Sequence, residues 1–187
     1  MAHSFGAAIT PNMLQHPTLS RKISATLVDP IAFLLHHPSV AYNFLYRSPK
    51  RANEWQLWYF ASRDPDIART LGRHFFWSEC IMWKEDLDGG RRVAVVLSEK
   101  DQIVDAKAVR KYLTGEESLR WERDGLEVLW YPGLDHATVW DTEERRKPLL
   151  EIVRRFTVTA SVGDTYCGSA GVLDLSTELE TRSLTTL

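Results

Sequence analysis

The chain has 187 residues, 44% apolar and 26% charged, a composition that suits one globular domain and excludes general disorder. Its net charge, 23 − 25 = −2, excludes a strongly basic nucleic-acid binder. Two cysteines, Cys80 and Cys167, are too few for a disulfide scaffold; one bridge or two free thiols both stay open.

No apolar run approaches the roughly 18–20 residues of a membrane span. The start, MAHSFGAAIT, lacks the basic region and long apolar core of a signal peptide. An intracellular, cytoplasmic location is therefore the default expectation.

Residues 4–16 read as a helix opened by a glycine turn, with Phe5, Ile9, Met13 and Leu14 near helical spacing. Pro11 suits only its first turns, because proline costs about 3 kcal/mol in a helix interior. Residues 23–28, ISATLV, read as a buried strand stopped by Asp29-Pro30. Helical stretches follow at 39–47, 53–62, 64–71 and 73–86. They hold Trp55, Trp58, Trp77 and Trp83 beside many tyrosines and phenylalanines. Asp64-Pro65 reads as an N-cap with proline at the first helical position. Plain helical packing explains this aromatic density; a lid lining an apolar pocket explains it too.

Gly89-Gly90 marks a turn, and RVAVVL at 92–97 is the clearest strand. A helix is predicted over 106–114, ended by Gly115, and polar residues fill 115–125. LEVLWY at 126–131 is a third strand, stopped by Pro132-Gly133. A charged amphipathic helix is predicted over 141–155. Residues 156–162 read as an extended piece, and the Ser/Thr/Gly-rich remainder reads as disordered. Strands alternating with helices imply α/β architecture with a parallel sheet of about three strands and right-handed crossovers.

Ser4 lies in Ala2-His3-Ser4-Phe5-Gly6, close to the G-x-S-x-G elbow that pushes a serine hydroxyl out of a strand-to-helix turn. An ordinary N-terminal serine is the plainer reading of that motif alone. Asp101 follows the second strand and His136 lies in the loop after the third. Functional groups gather at the carboxyl ends of parallel strands. There a carboxylate orients an imidazole, which takes a serine's proton. His36-His37 has no supporting cysteine or carboxylate cluster, and adjacent histidines on an extended chain point apart, so no metal site is expected. Arg145, Arg146, Lys147, Arg154 and Arg155 read as a solvated face. No phosphate-binding glycine loop is present and no cofactor is expected.

With those motifs the chain resembles the C-terminal portion of an α/β-hydrolase-fold protein, of an uncharacterised branch common in fungi. The resemblance runs over about residues 2–153. It is carried by AHSFGAAIT, LVDPIAFLLHHPSVAYNFLYR, ANEWQLWYFASRD, LGRHFFW, VAVVLSEKDQIVD and VLWYPGLDHATVWDT. It implies a serine hydrolase acting on a carboxylic ester or related acyl bond, with an apolar small-molecule substrate. It makes Ser4 the nucleophile, Asp101 the triad acid, His136 the base and the Phe5 N–H an oxyanion donor. Asp105 is a second-choice acid, and Asp135 reads as a turn residue.

The resemblance also divides the chain. Residues 1–35 become elbow, helix and first strand, 36–88 a helical lid, 89–156 the rest of the core, and 157–187 a tail. In that fold five strands precede the nucleophile. The expectation is therefore an open sheet beside 23–28, an elbow without its strand arm, a mobile Ser4 and a missing oxyanion donor. On this expectation the isolated chain is inactive. The alternative is a non-catalytic, truncated or degenerate copy that is unstable or binds a partner through its open sheet edge. Neither reading fixes the oligomeric state.

Overall fold

Val93–Ser98 (β3), with the sequence VAVVLS, is the strand around which the molecule is built, and every residue of it is buried. The computed structural model describes residues 1–20, 23–87 and 90–163. β3 is flanked in parallel by Ala25–Val28 (β2) and Leu126–Tyr131 (β5). Ala2–His3 (β1) pairs in parallel with β2, and Arg120–Arg123 (β4) pairs antiparallel with β5. Among the described residues the sheet thus has five strands, in the order β1-β2-β3-β5-β4.

Two of these strands correct the sequence reading. β1 is only two residues long, too short for a periodicity. β4 is exposed and charged, RWER, so no apolar alternation announces it. The legible cue was the turn after it. Asp124 and Gly125 have φ of 53° and 84° and join β4 to β5 with Arg123 opposite Leu126. That is the Asp-Gly pattern of a two-residue hairpin.

β3 sorts its side chains by parity, as a strand buried on both faces must. Val93, Val95 and Leu97 join Leu27, Val128 and Trp130 in one apolar cluster. Leu14 of helix α1 (Thr10–Gln15) covers that face, with Val109 and Leu113 of α6 (Ala106–Thr114). Ala94 and Val96 join Val28 and Leu129 on the other face, under Leu149 and Ile152 of the C-terminal helix Glu143–Gly163.

The predicted helix over 4–16 is a 3-10 segment, Ser4–Ile9, running into α1. Pro11 stands in the first turn of α1, where its missing N–H costs nothing. Between β2 and β3 the chain crosses through short helices. They are Ser39–Ala41 (α2), Ala52–Leu57 (α3), Pro65–Arg73 (α4) and Trp77–Cys80 (α5). π-turns at Tyr42–Tyr46 and Trp58–Ser62 extend α2 and α3. Asp64 caps α4 by accepting from the N–H groups of Asp66 and Ile67. The helix expected over 73–86 is interrupted. Fully buried Met82 donates its N–H to the Ala32 carbonyl, outside any helix, at 2.9 Å.

The piece expected to be extended at 156–162 is helical instead. Phe156 packs on the second apolar cluster, and the Thr157 hydroxyl donates to the carbonyls of Val153 and Arg154. These contacts override the weak helix propensity of Thr157 and Val158. Among the described residues Cys80 has no disulfide partner. Cys167 and the disorder expected after Gly163 lie outside the described residues, as does Gly89 of the expected turn.

Candidate active site

β1 delivers Ser4. Ala2 pairs with Leu27 and His3 with Val28, and the chain then turns straight into the 3-10 segment. Ser4 sits at φ 50°, a left-handed conformation that costs a non-glycine residue about 1–3 kcal/mol and persists only where its surroundings hold it. The holding structure is the β1–β2 pairing. This corrects the expectation of an elbow without a strand arm and of a β2 without an inner neighbour.

His136 comes from the loop after β5. Its Nε2 lies 2.9 Å from Ser4 Oγ, and its Nδ1 lies 2.8 Å from Asp101 Oδ2. A carboxylate only accepts, so Nδ1 carries the proton and Nε2 accepts from the serine hydroxyl. Asp101 is fixed in turn. Its Oδ1 accepts from the N–H groups of Ile103 and Val104 at 2.7 and 2.9 Å. The expected residues Ser4, His136 and Asp101 therefore meet in one hydrogen-bonded relay. Asp105 does not join them, because its carboxylate caps α6 by accepting from the Ala108 N–H at 3.1 Å. Phe5 follows Ser4 in the 3-10 segment, whose first N–H groups lack intrahelical carbonyls.

The electrostatics favour a protonatable imidazole. Burial pushes the His136 pKa down. The Asp101 hydrogen bond and charge, with Asp29 and Asp135, more than offset it and leave the net shift upward. His3, with its ring centroid 5.1 Å from that of His136, is held below its usual value by burial and by His136, against Asp101.

Two further carboxylates organise the loops, and the sequence reading gave neither a role at the site. Asp135 accepts from the N–H groups of Gln102 and His136, and from the side chains of Gln102 and Asn53. It links the acid loop, the histidine loop and α3. Asp29 is fully buried at the end of β2 and accepts from Ser98 and Ala137. The cue for Asp29 was its position, an acid at the carboxyl end of a parallel strand, the same cue that marks Asp101.

Asp29, Asp101 and His136 each offer a ligand atom within 4.8 Å of the others, the spacing of a metal site. Their atoms are committed elsewhere: Asp29 to the Ser98 and Ala137 donors, Asp101 to its loop and to the imidazole. His36 and His37 also depart from expectation. Their rings lie together, centroids 4.3 Å apart, because the chain turns there instead of extending.

A cavity of about 730 Å³ opens beside Ser4 and Phe5. Ile31 and Leu35 wall it after β2, Val40, Phe44, Leu71 and Phe75 from the helical crossover, and Ile103 from the acid loop. That volume falls in the range of small-molecule sites.

No family model matches the chain, and no curated relative matches it. Solved structures do. The chain is similar to 2-hydroxy-6-oxo-6-phenylhexa-2,4-dienoate hydrolase from Rhodococcus sp. strain RHA1, at 16% identity and a TM-score of 0.48, over 82% of this chain and 62% of that one. It is similar to fungal esterases from Rhizomucor miehei, at 18% identity and 0.45, over 87% and 51%. It is similar to a serine hydrolase from a polyaromatic-hydrocarbon-degrading Cycloclasticus, at 10% and 0.45, over 87% and 64%. The chain thus spans about half to two thirds of the length of these structures.

The chain's own topology identifies the fold. Parallel strands carry, in chain order, a serine at a strand-to-helix turn, an aspartate after β3 and a histidine after β5. This is a partial α/β-hydrolase fold.

Proposed function

We propose that the site performs serine-hydrolase chemistry on a carboxylic ester or related acyl bond. The observation that carries this reading is the continuous relay Ser4 Oγ–His136 Nε2, 2.9 Å, and His136 Nδ1–Asp101 Oδ2, 2.8 Å. Ser4 Oγ attacks the acyl carbonyl while His136 Nε2 takes its proton. Asp101 holds the Nδ1–H tautomer and favours the imidazolium that forms. The Phe5 N–H donates to the oxyanion. His136 then returns the proton to the leaving alkoxide, and a water hydrolyses the acyl-serine by the same relay.

The crossover helices act as a lid over the cavity, and its apolar walls favour an apolar acyl group. A hydrolase and fungal esterases are among the similar solved structures. The test is covalent labelling by a fluorophosphonate, located by peptide mass spectrometry. The expected adduct is on Ser4 and is absent from Ser4→Ala. A cooperatively folded protein that never labels would favour a non-catalytic role.

A further inference from the structure

Asp29 is a buried acid at the end of β2 that the proposed relay does not use. Its Oδ1 accepts from the Ser98 N–H at 2.9 Å, and its Oδ2 from the Ser98 hydroxyl at 3.1 Å and the Ala137 N–H at 2.9 Å. Ser98 ends β3, just before the loop that carries Asp101. Ala137 follows His136. One carboxylate therefore ties together the two loops that bring acid and base into register.

The backbone is distorted where it makes these contacts. Asp29 and Ala137 stand at φ 43° and 65°. Left-handed conformations of this kind persist only where the surroundings over-determine them. Here each is held by the hydrogen bond it shares with the other. Among the described residues no lysine or arginine forms an ion pair with Asp29. A buried carboxylate without a cation is expensive. The group within its reach that can take up a positive charge is His136, whose ring nitrogen, the Asp29 carboxylate and the Asp101 carboxylate lie within 4.8 Å of one another.

We infer that Asp29 is a positioning residue for His136: it clamps the histidine turn to the end of β3 and supplies a second negative charge that favours the imidazolium. This rests on the serine-hydrolase reading above. The titratable groups facing the pair are Asp101 from the acid loop, Asp135 from the histidine loop and His3 from β1. Burial, with Asp101, pushes the Asp29 carboxyl up to about 6, against the Ala137, His136 and Ser98 contacts that favour its charged form. Asp29 thus gains its charge at the foot of the pH range in which a histidine base operates.

The experiment reads the His136 ring titration by NMR, assigned with His136→Gln, alongside the pH profile of Ser4 labelling by a fluorophosphonate. In Asp29→Asn the His136 midpoint moves to lower pH, the acid limb of labelling moves with it, and labelling at pH 8 slows about tenfold. Ser98→Ala loosens the same hydrogen-bond set but keeps the carboxylate, and leaves the His136 midpoint in place. An unchanged midpoint in folded Asp29→Asn, with both variants merely labelling more slowly, overturns the inference.

If Asp29→Asn loses its cooperative melt, carbon-13 titration of Asp29 in the unaltered protein decides. A step at Asp29 matched by an inflection at His136 supports the inference, and an ordinary carboxyl with no matching step overturns it. Unaltered protein that never labels fails the serine-hydrolase reading alone, because the His136 titration still reads the Asp29 charge.

Discussion

Arg47, in the crossover after the Tyr42–Tyr46 turn, donates to the Gln102 carbonyl at 2.8 Å, one residue beyond Asp101. Asn43 donates to the next carbonyl, Ile103, at 3.0 Å. Asn53 of α3 donates to Asp135, one residue before His136. The crossover is therefore fastened to both loops of the relay and does not merely sit over the cavity. Arg47→Met removes the Gln102 bond and the 3.7 Å ion pair with Glu54. A hydrogen bond from a charged donor contributes about 1.5–3 kcal/mol, less where the donor is partly exposed as Arg47 is. The expected outcome is faster amide exchange through residues 42–62. Fluorophosphonate labelling should slow a few-fold, while the exchange of β3 and β5 stays unchanged.

The two candidate acids separate cleanly by substitution. Asp101→Asn leaves the shape of the acid loop but permits the wrong imidazole tautomer, and labelling should fall by about 10³- to 10⁴-fold. Asp105→Asn keeps an N-cap acceptor for α6, and labelling should stay within about twofold. Asp105→Ala should cost about 1 kcal/mol in urea unfolding, again with little change in labelling. A large labelling loss at Asp105 would mean that the acid loop rearranges in solution.

Much of this site was legible because α/β order leaves a positional signature. Ser4, Asp101 and His136 each follow a strand that apolar runs or an elbow motif announce. The strands β2, β3 and β5 were visible because burial on both faces demands continuous apolar residues. β4 was not, since an edge strand turns charged residues to water and Arg120 and Arg123 read as loop. The long-range contacts of Asp29 and of Asp135, which is the turn residue expected, were hidden for a related reason. An aspartate beside a proline or a turn has a local explanation, and only tertiary structure shows its carboxylate reaching across to Ser98 or Gln102. The resemblance also misled, because it implied an unanchored elbow while Ala2 and His3 pair with β2.

Stability should vary with pH in opposite senses at two carboxylates. Asp29 is raised to about 6 by burial and by Asp101, so the folded state holds its proton more tightly than the unfolded chain. Its contribution is fully present below the unfolded pKa near 4 and is lost as pH rises through 6, by about 3 kcal/mol at most. Burial also pushes Glu54 up, but the Lys50 and Arg51 N–H donors and the Arg51 and Arg47 charges overcome this and hold it at about 2. Its contribution is present above about 4.5 and lost as pH falls toward 2. Thermal melts from pH 2 to 8 should therefore pass through a maximum near pH 4–5. Asp29→Asn should flatten the alkaline side of that maximum, and Glu54→Gln the acid side.

Gly125 is fixed by space as well as by its φ of 84°. A β-carbon there would stand 2.5 Å from the Arg91 backbone carbonyl oxygen. Gly125→Ala must therefore strain the hairpin turn and push the entry to β3 aside. A loss of more than about 2 kcal/mol in urea unfolding is expected, since both the backbone conformation and the clash oppose the methyl group. Asp124→Asn, which suits the same turn, should be close to neutral.

Glu127 of β5 is a buried carboxylate within the sheet, with its side chain 3% exposed. Arg120 on the neighbouring edge strand meets its Oε1 at 2.5 Å, and Arg155 of the C-terminal helix meets its Oε2. Arg155 therefore does more than belong to the solvated face that the charge run suggests. Both arginines are about half exposed, so water can replace the carboxylate for them, whereas nothing replaces them for Glu127. The asymmetry makes an unusual prediction. Arg155→Met alone should cost about 1–2 kcal/mol, because Arg120 still neutralises the charge. Arg120→Met with Arg155→Met strands a buried charge and should cost about 3–5 kcal/mol. Glu127→Leu, which removes the charge itself, should cost less than that double substitution. Urea unfolding at pH 7 of these variants measures the order. If Glu127→Leu proves the most damaging, the carboxylate's hydrogen bonds outweigh its desolvation.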